Sequence, residues 1–334
     1  TFALSSASFA RAEDLAAARS LARYLLDFLR GPRGTFGVSQ DADLPDGTPG
    51  AVFYALGDEE RRRLGMPAID RHVYPRENGW AIAALTELAE ATGDLEALGA
   101  ATTAATALRA AALKGGAFGH GTPVPSLGDT VSMGQAFLTL YRATGELAWL
   151  EAARSAAGAL DGFADPRGAG YDSVAAAGGD GVFAIPVRDA DENVAVARFT
   201  NLLARLDPER PAPRVQAERA LRFVAAEGIA ATDTPPAGLL LAERELREPP
   251  VHIAVVGVRD DPRTRELFAA ALKTPSRYKR VERLDPGQLP TDDGAPAYPV
   301  LPRPAAYACG PRSCSAPAFS AEALRQAVLA LGSP

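Results

Sequence analysis

The chain has little of the chemistry that builds metal centres or stapled folds. Two cysteines and three histidines in 334 residues exclude a multi-cysteine zinc scaffold and a disulfide-dense domain. Positive charge is not in excess either. Thirty-five Lys and Arg stand against 41 Asp and Glu, a formal charge of −6, where a nucleic-acid binder shows a clustered basic footprint. No apolar stretch of membrane-spanning length survives, because charges interrupt every long run. What remains is a globular composition, 47% hydrophobic and 23% charged, long enough for about two domains and a core without staples. The expectation is a soluble protein, with the cytoplasm the favoured compartment and with no cofactor, nucleic-acid or membrane partner.

The chain begins at Thr1 rather than Met, which fits a processed or excised piece. Ala10-Arg11-Ala12 has the small-x-small form of a signal-peptide end, but the apolar stretch that should precede it is missing. Residues 8–30 read instead as a helix starting near Ser8. Leu15, Leu21, Leu25, Phe28 and Leu29 give it a broad apolar face.

A repeat follows. LTELAEATGDLEALGAATTAA (85–105) aligns with FLTLYRATGELAWLEAARSAA (137–157), and Thr92-Gly93-Asp94 matches Thr144-Gly145-Glu146. Glycine tolerates the left-handed conformation that ends a helix, and the acidic residue after it can cap the next one. Each copy therefore reads as a helix, a tight turn and a returning helix. Residues 191–226 form a weaker third copy broken at Asp207-Pro208, and helix 8–30 fits the returning half of an earlier pair. The chain to residue 248 is thus expected to be stacked αα-hairpins. Three loops, 31–50, 115–129 and 165–173, follow returning helices, and each combines glycines, an aromatic and an Asp. In a hairpin array they emerge at one end and form a rim, the natural place for function.

The pattern changes after Pro249-Pro250. VHIAVVG (251–257) reads as a buried strand, 261–274 as a helix with Asp261 as cap and Pro262 in its first turn, and 277–285 as a strand. Residues 286–304 read as loop, 305–309 as a third strand and 320–331 as a closing helix. The expected division is a helical domain, 1–248, and a small α/β subdomain, 249–334.

The order of these segments resembles the YyaL / spermatogenesis-associated protein 20 family. GTFGVSQDADLPDGTPGAVFYAL is similar to its glycine-aromatic-DAD segment. PAIDRHVYPRENGWAIAAL is similar to its Asp-Lys…Trp-Asn-Gly segment, with Asp70, Asn78 and Gly79 matching while Arg71 and Glu77 replace Lys and Trp. Asp129 and Asn193 match in two further segments, and AYACGPRSCSAPAF resembles the family's Cys-x4-Cys ending. The resemblance implies a six-hairpin glycosidase-like (α/α)6 barrel related to N-acylglucosamine 2-epimerases. The family's N-terminal thioredoxin-like domain and first hairpins are absent, and about eight helices can be counted where six hairpins need twelve. The toroid is expected to be incomplete, or completed by another polypeptide.

Glycoside chemistry needs two carboxylates flanking one bond. Asp41, Asp43 and Asp129 lie on two rim loops and could converge, although Asp in a Gly/Pro-rich loop is more simply a turn or cap residue. Asp189, Asp191 and Glu192 precede a helix, and capping by Asp191 is the simpler reading there. Epimerisation calls for paired bases, which the resemblance assigns to histidines. His120 is the one acid–base candidate in a rim loop, because His72 lies in a connection and reads as a surface residue while His252 opens a strand. Trp80 leads Phe36, Phe118, Tyr171 and Trp149 as a sugar platform, with plain core the competing reading. The expected site comprises Asp41, Asp43, His120 and Asp129 as acid and base groups, with Asp70, Asn78, Trp80, Tyr171 and Asn193 around a ligand. VHIAVVGVRDDP lacks Gly-x-Gly-x-x-Gly spacing and reads as a structural βα unit; Arg61-Arg62-Arg63 reads as a solvated face.

Cys309 and Cys314 flank Gly310-Pro311, which favours a tight turn that brings the sulfurs close. A local disulfide, structural or regulatory, stands beside two unlinked buried thiols. Two functional readings follow: an enzyme-like barrel binding or acting on a carbohydrate-type ligand, or a non-catalytic scaffold that docks a thioredoxin-like or other partner. Helix 8–30, short of its hairpin partner, is the expected surface for self-association or docking.

Overall fold

The structure is a computed structural model that describes residues 11–166, 168–175, 186–226, 237–287, 289, 291–292, 295–296, 298–310 and 313–331. Helix α1 (Ala12–Tyr24) runs on into a π-helical turn, Leu25–Leu29; residues 8–10 of the expected helix lie outside the described residues. Short helices α2 (Gly50–Ala55) and α3 (Asp58–Leu64) occupy the long connection that follows. In α3, Arg62 pairs with Asp58 and Arg63 with Glu59 on an exposed surface. Strands β1 (Ser39–Gln40) and β2 (Ile69–Asp70) pair antiparallel across this connection.

Three hairpins form the body: α4 (Pro75–Thr92) with α5 (Leu95–Ala110), α6 (Leu127–Thr144) with α7 (Leu147–Ala159), and α8 (Ala190–Leu206) with α9 (Ala212–Ala226). A further helix, α10 (Ala237–Arg247), packs beside α8. The first two turns share one construction. Gly93 and Gly145 adopt φ of 81° and 68°, left-handed values natural to glycine. Thr92 and Thr144 each donate a hydroxyl to the carbonyl one turn back and accept the N–H two residues on. The acidic caps then differ. Asp94 accepts the N–H groups of Glu96 and Ala97, whereas Glu146 makes no side-chain cap. Its extra methylene suits the first turn less well than the short acids preferred at this position.

Helices α4, α6 and α8 stand side by side, with α6 buried along most of its length. Two glycines set the spacing. A Cβ on Gly79 would fall 2.7 Å from the Ser132 carbonyl, and one on Gly134 would fall 2.4 Å from the Phe199 ring. The returning helices α5 and α7 present alanine to the same core, including Ala101, Ala104, Ala153 and Ala156. Helix α1 is less enclosed. Ala22 and Leu29 are buried and Leu15, Leu25 and Leu26 half-buried, while Leu21 is 53% exposed.

The remaining chain forms a three-stranded sheet of β5 (Val251–Val256), β6 (Lys279–Leu284) and β9 (Ala305–Cys309), in the order β6-β5-β9. β5 and β6 are parallel, joined through α11 (Pro262–Leu272), and β9 is antiparallel to β5. Helix α12 (Ala321–Ala330) joins α11 over one face. Residues 286–304, expected as loop throughout, include a small antiparallel pair, β7 (Thr291–Asp292) and β8 (Ala295–Pro296). Cys309 and Cys314 are disulfide-bonded, their Cα atoms 3.9 Å apart where the chain doubles back. His252 faces Glu282 across β5 and β6, at 2.9 Å. Among the described residues no helix is long and apolar enough to cross a membrane.

A buried polar hub joins sheet to helices. Glu90 of α4 forms a two-pronged pair with Arg142 of α6, at 2.7 and 3.1 Å. Lys279 of β6, 3% exposed, reaches Glu90 at 3.3 Å and donates to the carbonyls of Leu272 and Thr274. Nearby, Arg277 pairs with Glu87, and Tyr278 donates its hydroxyl to the Glu245 carbonyl. Burial drives the Lys279 ammonium down to about 8 from 10.5, with Glu90 opposing the shift. Between these values the unfolded chain holds a proton that the folded chain has released, so stability rises with pH there. Relative to Lys279→Met, the wild type should therefore gain stability between about pH 7 and about pH 10 in urea unfolding. A wild-type-minus-variant difference that falls over this range would contradict the assignment.

Candidate functional site

The first turns of α4, α6 and α8 carry the same two-residue pattern. The third residue of each helix is acidic, Glu77, Asp129 and Glu192, and the fourth is Asn78, Thr130 or Asn193. The fourth residues are fully buried and act as clips. Asn78 accepts the Phe36 N–H at 2.8 Å and donates to the carbonyls of Phe36 and Tyr74. Asn193 does the same with Tyr171 and Asp189. Thr130 accepts the Phe118 N–H and donates to the Ser126 carbonyl. Each clip fixes the aromatic of a preceding glycine-rich loop and closes its own helix start.

This assigns Asn78, Asn193 and Tyr171 differently from the sequence expectation. Both amides are spent on backbone groups. Tyr171, like Phe36 and Phe118, is core, with its hydroxyl towards the Gln216 carbonyl and Arg219 over its ring. Burial pushes its phenol up to about 12. Trp149 is also core, stacked on Phe137. Trp80 differs: it is 57% exposed on α4, with the Arg76 guanidinium 5.7 Å from its ring centre.

The third residues make the site. Helix N-termini stabilise negative charge, and here three such ends share a rim. Asp129 is fully buried. One oxygen accepts the Arg76 N–H at 2.9 Å and the other the Ser126 hydroxyl at 2.7 Å, so it ties the start of α6 to that of α4. The hairpin of β3 (Phe118–Gly119) and β4 (Pro125–Ser126) delivers His120, whose Nδ1 lies 3.1 Å from Asp129. The His120 ring stacks on Tyr74 with centroids 4.0 Å apart. Gly121, at φ 67°, permits this contact, since a Cβ there would lie 2.8 Å from the Tyr74 ring.

Glu77, His120 and Asp129 each offer an atom within 4.8 Å of the others. This mixed imidazole and carboxylate set could accept a divalent cation, although Arg76 already pairs with Glu77 at 3.1 Å. The second Glu77 oxygen is buried and has no hydrogen-bond partner among the described residues; the same holds for one oxygen of Glu192. Gly128 makes room for Glu192, because a Cβ there would lie 2.6 Å from its other oxygen. Burial raises the Glu192 carboxyl above its ordinary range. A hydrogen bond with Ser173 and the charge of Arg76 oppose this; Asp189 and Asp129 add to it.

Of the expected acid–base set, the structure brings Asp129 and His120 together. Asp41 accepts the N–H groups of Ala42 and Asp43, and Asp43 accepts that of Gly50. Both fasten their loop, and neither forms a hydrogen bond or ion pair with Asp129 or His120 among the described residues. Asp70 is exposed and bonds His72, whose hydrogen bonds lower its carboxyl below the usual range. The cap of α8 is Asp189, which accepts the Glu192 N–H at 2.8 Å, rather than Asp191. Glu77 and Glu192 were missed as site residues. The readable signal was Glu77-Asn78 recurring as Glu192-Asn193, each at the same place in a helix.

No family model matches the chain, and no curated protein matches it. Solved structures do. A sugar epimerase from a ruminal bacterium is 15% identical with a TM-score of 0.50, over 70% of this chain and 59% of that one. A D-mannose isomerase is 14% identical at a TM-score of 0.49, over 68% and 57%. The unsaturated glucuronyl hydrolase of Bacillus sp. GL1 is 15% identical at 0.48, over 66% and 57%. The chain spans less than two thirds of the length of each. At such identity the likeness is one of fold: a mostly helical αα-hairpin toroid.

Two outcomes test this geometry. Carboxyl-carbon NMR should show Glu192 titrating above the ordinary glutamate range, and Asp129→Asn should lower that value by removing a like charge. Asn78→Ala should destabilise the protein by about 2–4 kcal/mol in urea unfolding, because it strands the buried N–H and carbonyl of Phe36.

Proposed function

We propose that the chain is an enzyme-like barrel that binds or acts on a carbohydrate-type ligand at the rim where α4, α6 and α8 begin. The observation that carries this reading is the convergence of Glu77 and Asp129 on the half-exposed His120, with Glu192 beside Gly128 at the adjoining helix start, each acid at the third position of its helix. Asp129, buried and hydrogen-bonded, orients the imidazole and balances its charge when it takes a proton. Glu192, held towards its protonated form, is the complementary acid. The exposed Trp80 face supplies a platform for the apolar side of a sugar ring. The fold shared with a sugar epimerase supports this ligand class by analogy. The resemblance to the YyaL / spermatogenesis-associated protein 20 segments supports the finer family assignment, and with it a helical unit, 1–248, and an α/β unit, 249–334.

The scaffold reading keeps one specific observation in its favour, the uncovered flank of α1 at Leu21. Concentration-dependent sedimentation that Leu21→Glu abolishes would support self-association there.

A thermal-shift screen of sugars and sugar phosphates should return a stabilising ligand whose effect disappears in His120→Ala and Asp129→Asn. Where turnover of that ligand is found, each variant should lose about 100-fold or more in kcat. Activity should fall as pH rises through the Glu192 value, and Glu192→Gln should remove that alkaline limb together with most of the activity. Retained ligand stabilisation in both His120→Ala and Asp129→Asn would place the site elsewhere.

A further inference from the structure

The α/β unit carries a second cleft, independent of the helical rim. Because β5 and β6 are parallel, their carboxyl ends, Val256 and Leu284, lie side by side; ligand crevices in open α/β sheets form beyond such ends. A cleft of about 120 Å³ opens there, between the turn that follows β5 and the segment that leads into β9. Gly257, Val258, Leu301 and Pro304 give it apolar walls, and Arg263 and Arg303 stand at its edge.

Two features of this cleft are unexplained by the fold. The first is Thr264, the third residue of α11, which is wholly buried and whose hydroxyl has no hydrogen-bond partner among the described residues. A helical threonine ordinarily bonds the carbonyl one turn back. This hydroxyl instead points at Gly257: a Cβ there would lie 2.3 Å from it and 2.9 Å from the Pro304 Cβ. It therefore fills the notch between two cleft-lining residues. The Tyr307 hydroxyl is likewise buried without a partner among the described residues. Tyr307 lies two residues along β9 from Ala305, a cleft residue on the same strand face.

The second feature is charge. Arg263 is neutralised by Asp261 at 2.8 Å. Arg303 lies over the Phe319 ring at 3.7 Å and has no carboxylate partner among the described residues. The N-terminus of α11 offers an anion little, since Pro262 lacks an N–H and Asp261 already accepts that of Arg263. One free guanidinium with a carboxylate close by suits a single negative charge, and the walls suit a compact apolar body. We propose that this cleft binds a small organic monocarboxylate. Arg303 takes the carboxylate, and the proline and valine walls hold the body.

Amide NMR titrations of the full chain with benzoate, acetate and inorganic phosphate test this. Benzoate should give saturable shifts at Gly257, Val258 and Thr264, with phosphate weaker. Arg303→Gln, an exposed substitution, should weaken benzoate by about tenfold or more. Thr264→Val should leave the free protein at least as stable as the wild type, because it removes an unpaired buried hydroxyl, and, lying behind the cleft wall, should leave benzoate affinity unchanged. Absence of saturable shifts with either carboxylate, equal affinity in Arg303→Gln, or tighter binding of phosphate than of benzoate would each overturn the proposal.

Discussion

The helical rim depends on a small set of buried hydrogen bonds. Loops as rich in glycine as 31–50, 115–129 and 165–173 have no conformation of their own to favour. They are ordered because one polar side chain per hairpin, Asn78, Thr130 or Asn193, takes the N–H of a loop aromatic. The aromatic ring is then driven into the core, so hydrophobic burial and hydrogen bonding fix the same point of the chain. Repetition of this device at three helix starts brings the neighbouring carboxylates to a common rim without any loop being rigid in itself.

That arrangement places chemistry at positions where helix geometry supplies part of the electrostatics. An ionised acid in a first turn is stabilised by the exposed N–H groups around it. Asp129 receives an N–H from a different helix as well, which makes it the most constrained group of the set. Glu192 is enclosed with fewer partners, and burial raises its carboxyl. Similar side chains at equivalent places thus meet different surroundings.

Much of the fold was legible in the sequence because the signals were local. Thr-Gly followed by an acid announced two helix turns, and a β-branched run ending in Gly257 announced a buried strand. His120 and Asp129 were legible as members of one loop, 115–129, expected on the rim together with Asp41 and Asp43. Glu77 and Glu192 were not, since they approach through side-by-side packing of helices far apart in the chain. The backbone partners of Asn78 and Asn193 and the burial of Tyr171 were not legible for a related reason. A polar residue beside a glycine-rich loop looks the same in sequence whether it faces a ligand or a backbone amide. Asp41 and Asp43 showed the opposite ambiguity, and their carboxylates were absorbed by the turn chemistry that their composition allowed.

The hub of Glu90, Arg142 and Lys279 has a consequence for the order in which the chain reaches its native state. Glu90 and Arg142 are separated by 52 positions and belong to adjacent hairpins, so their pair can form as soon as both have emerged during synthesis. The partnership of Glu87 with Arg277 spans 190 positions, and Lys279 comes later still. Contacts of such separation carry a larger loop-closure cost and form after local ones. Until the sheet docks, Glu90 and Arg142 remain a pair at an open surface; docking of β6 seals it. Closure of the hub therefore needs both hairpins and the sheet, so its burial couples the stability of the helices to that of the sheet.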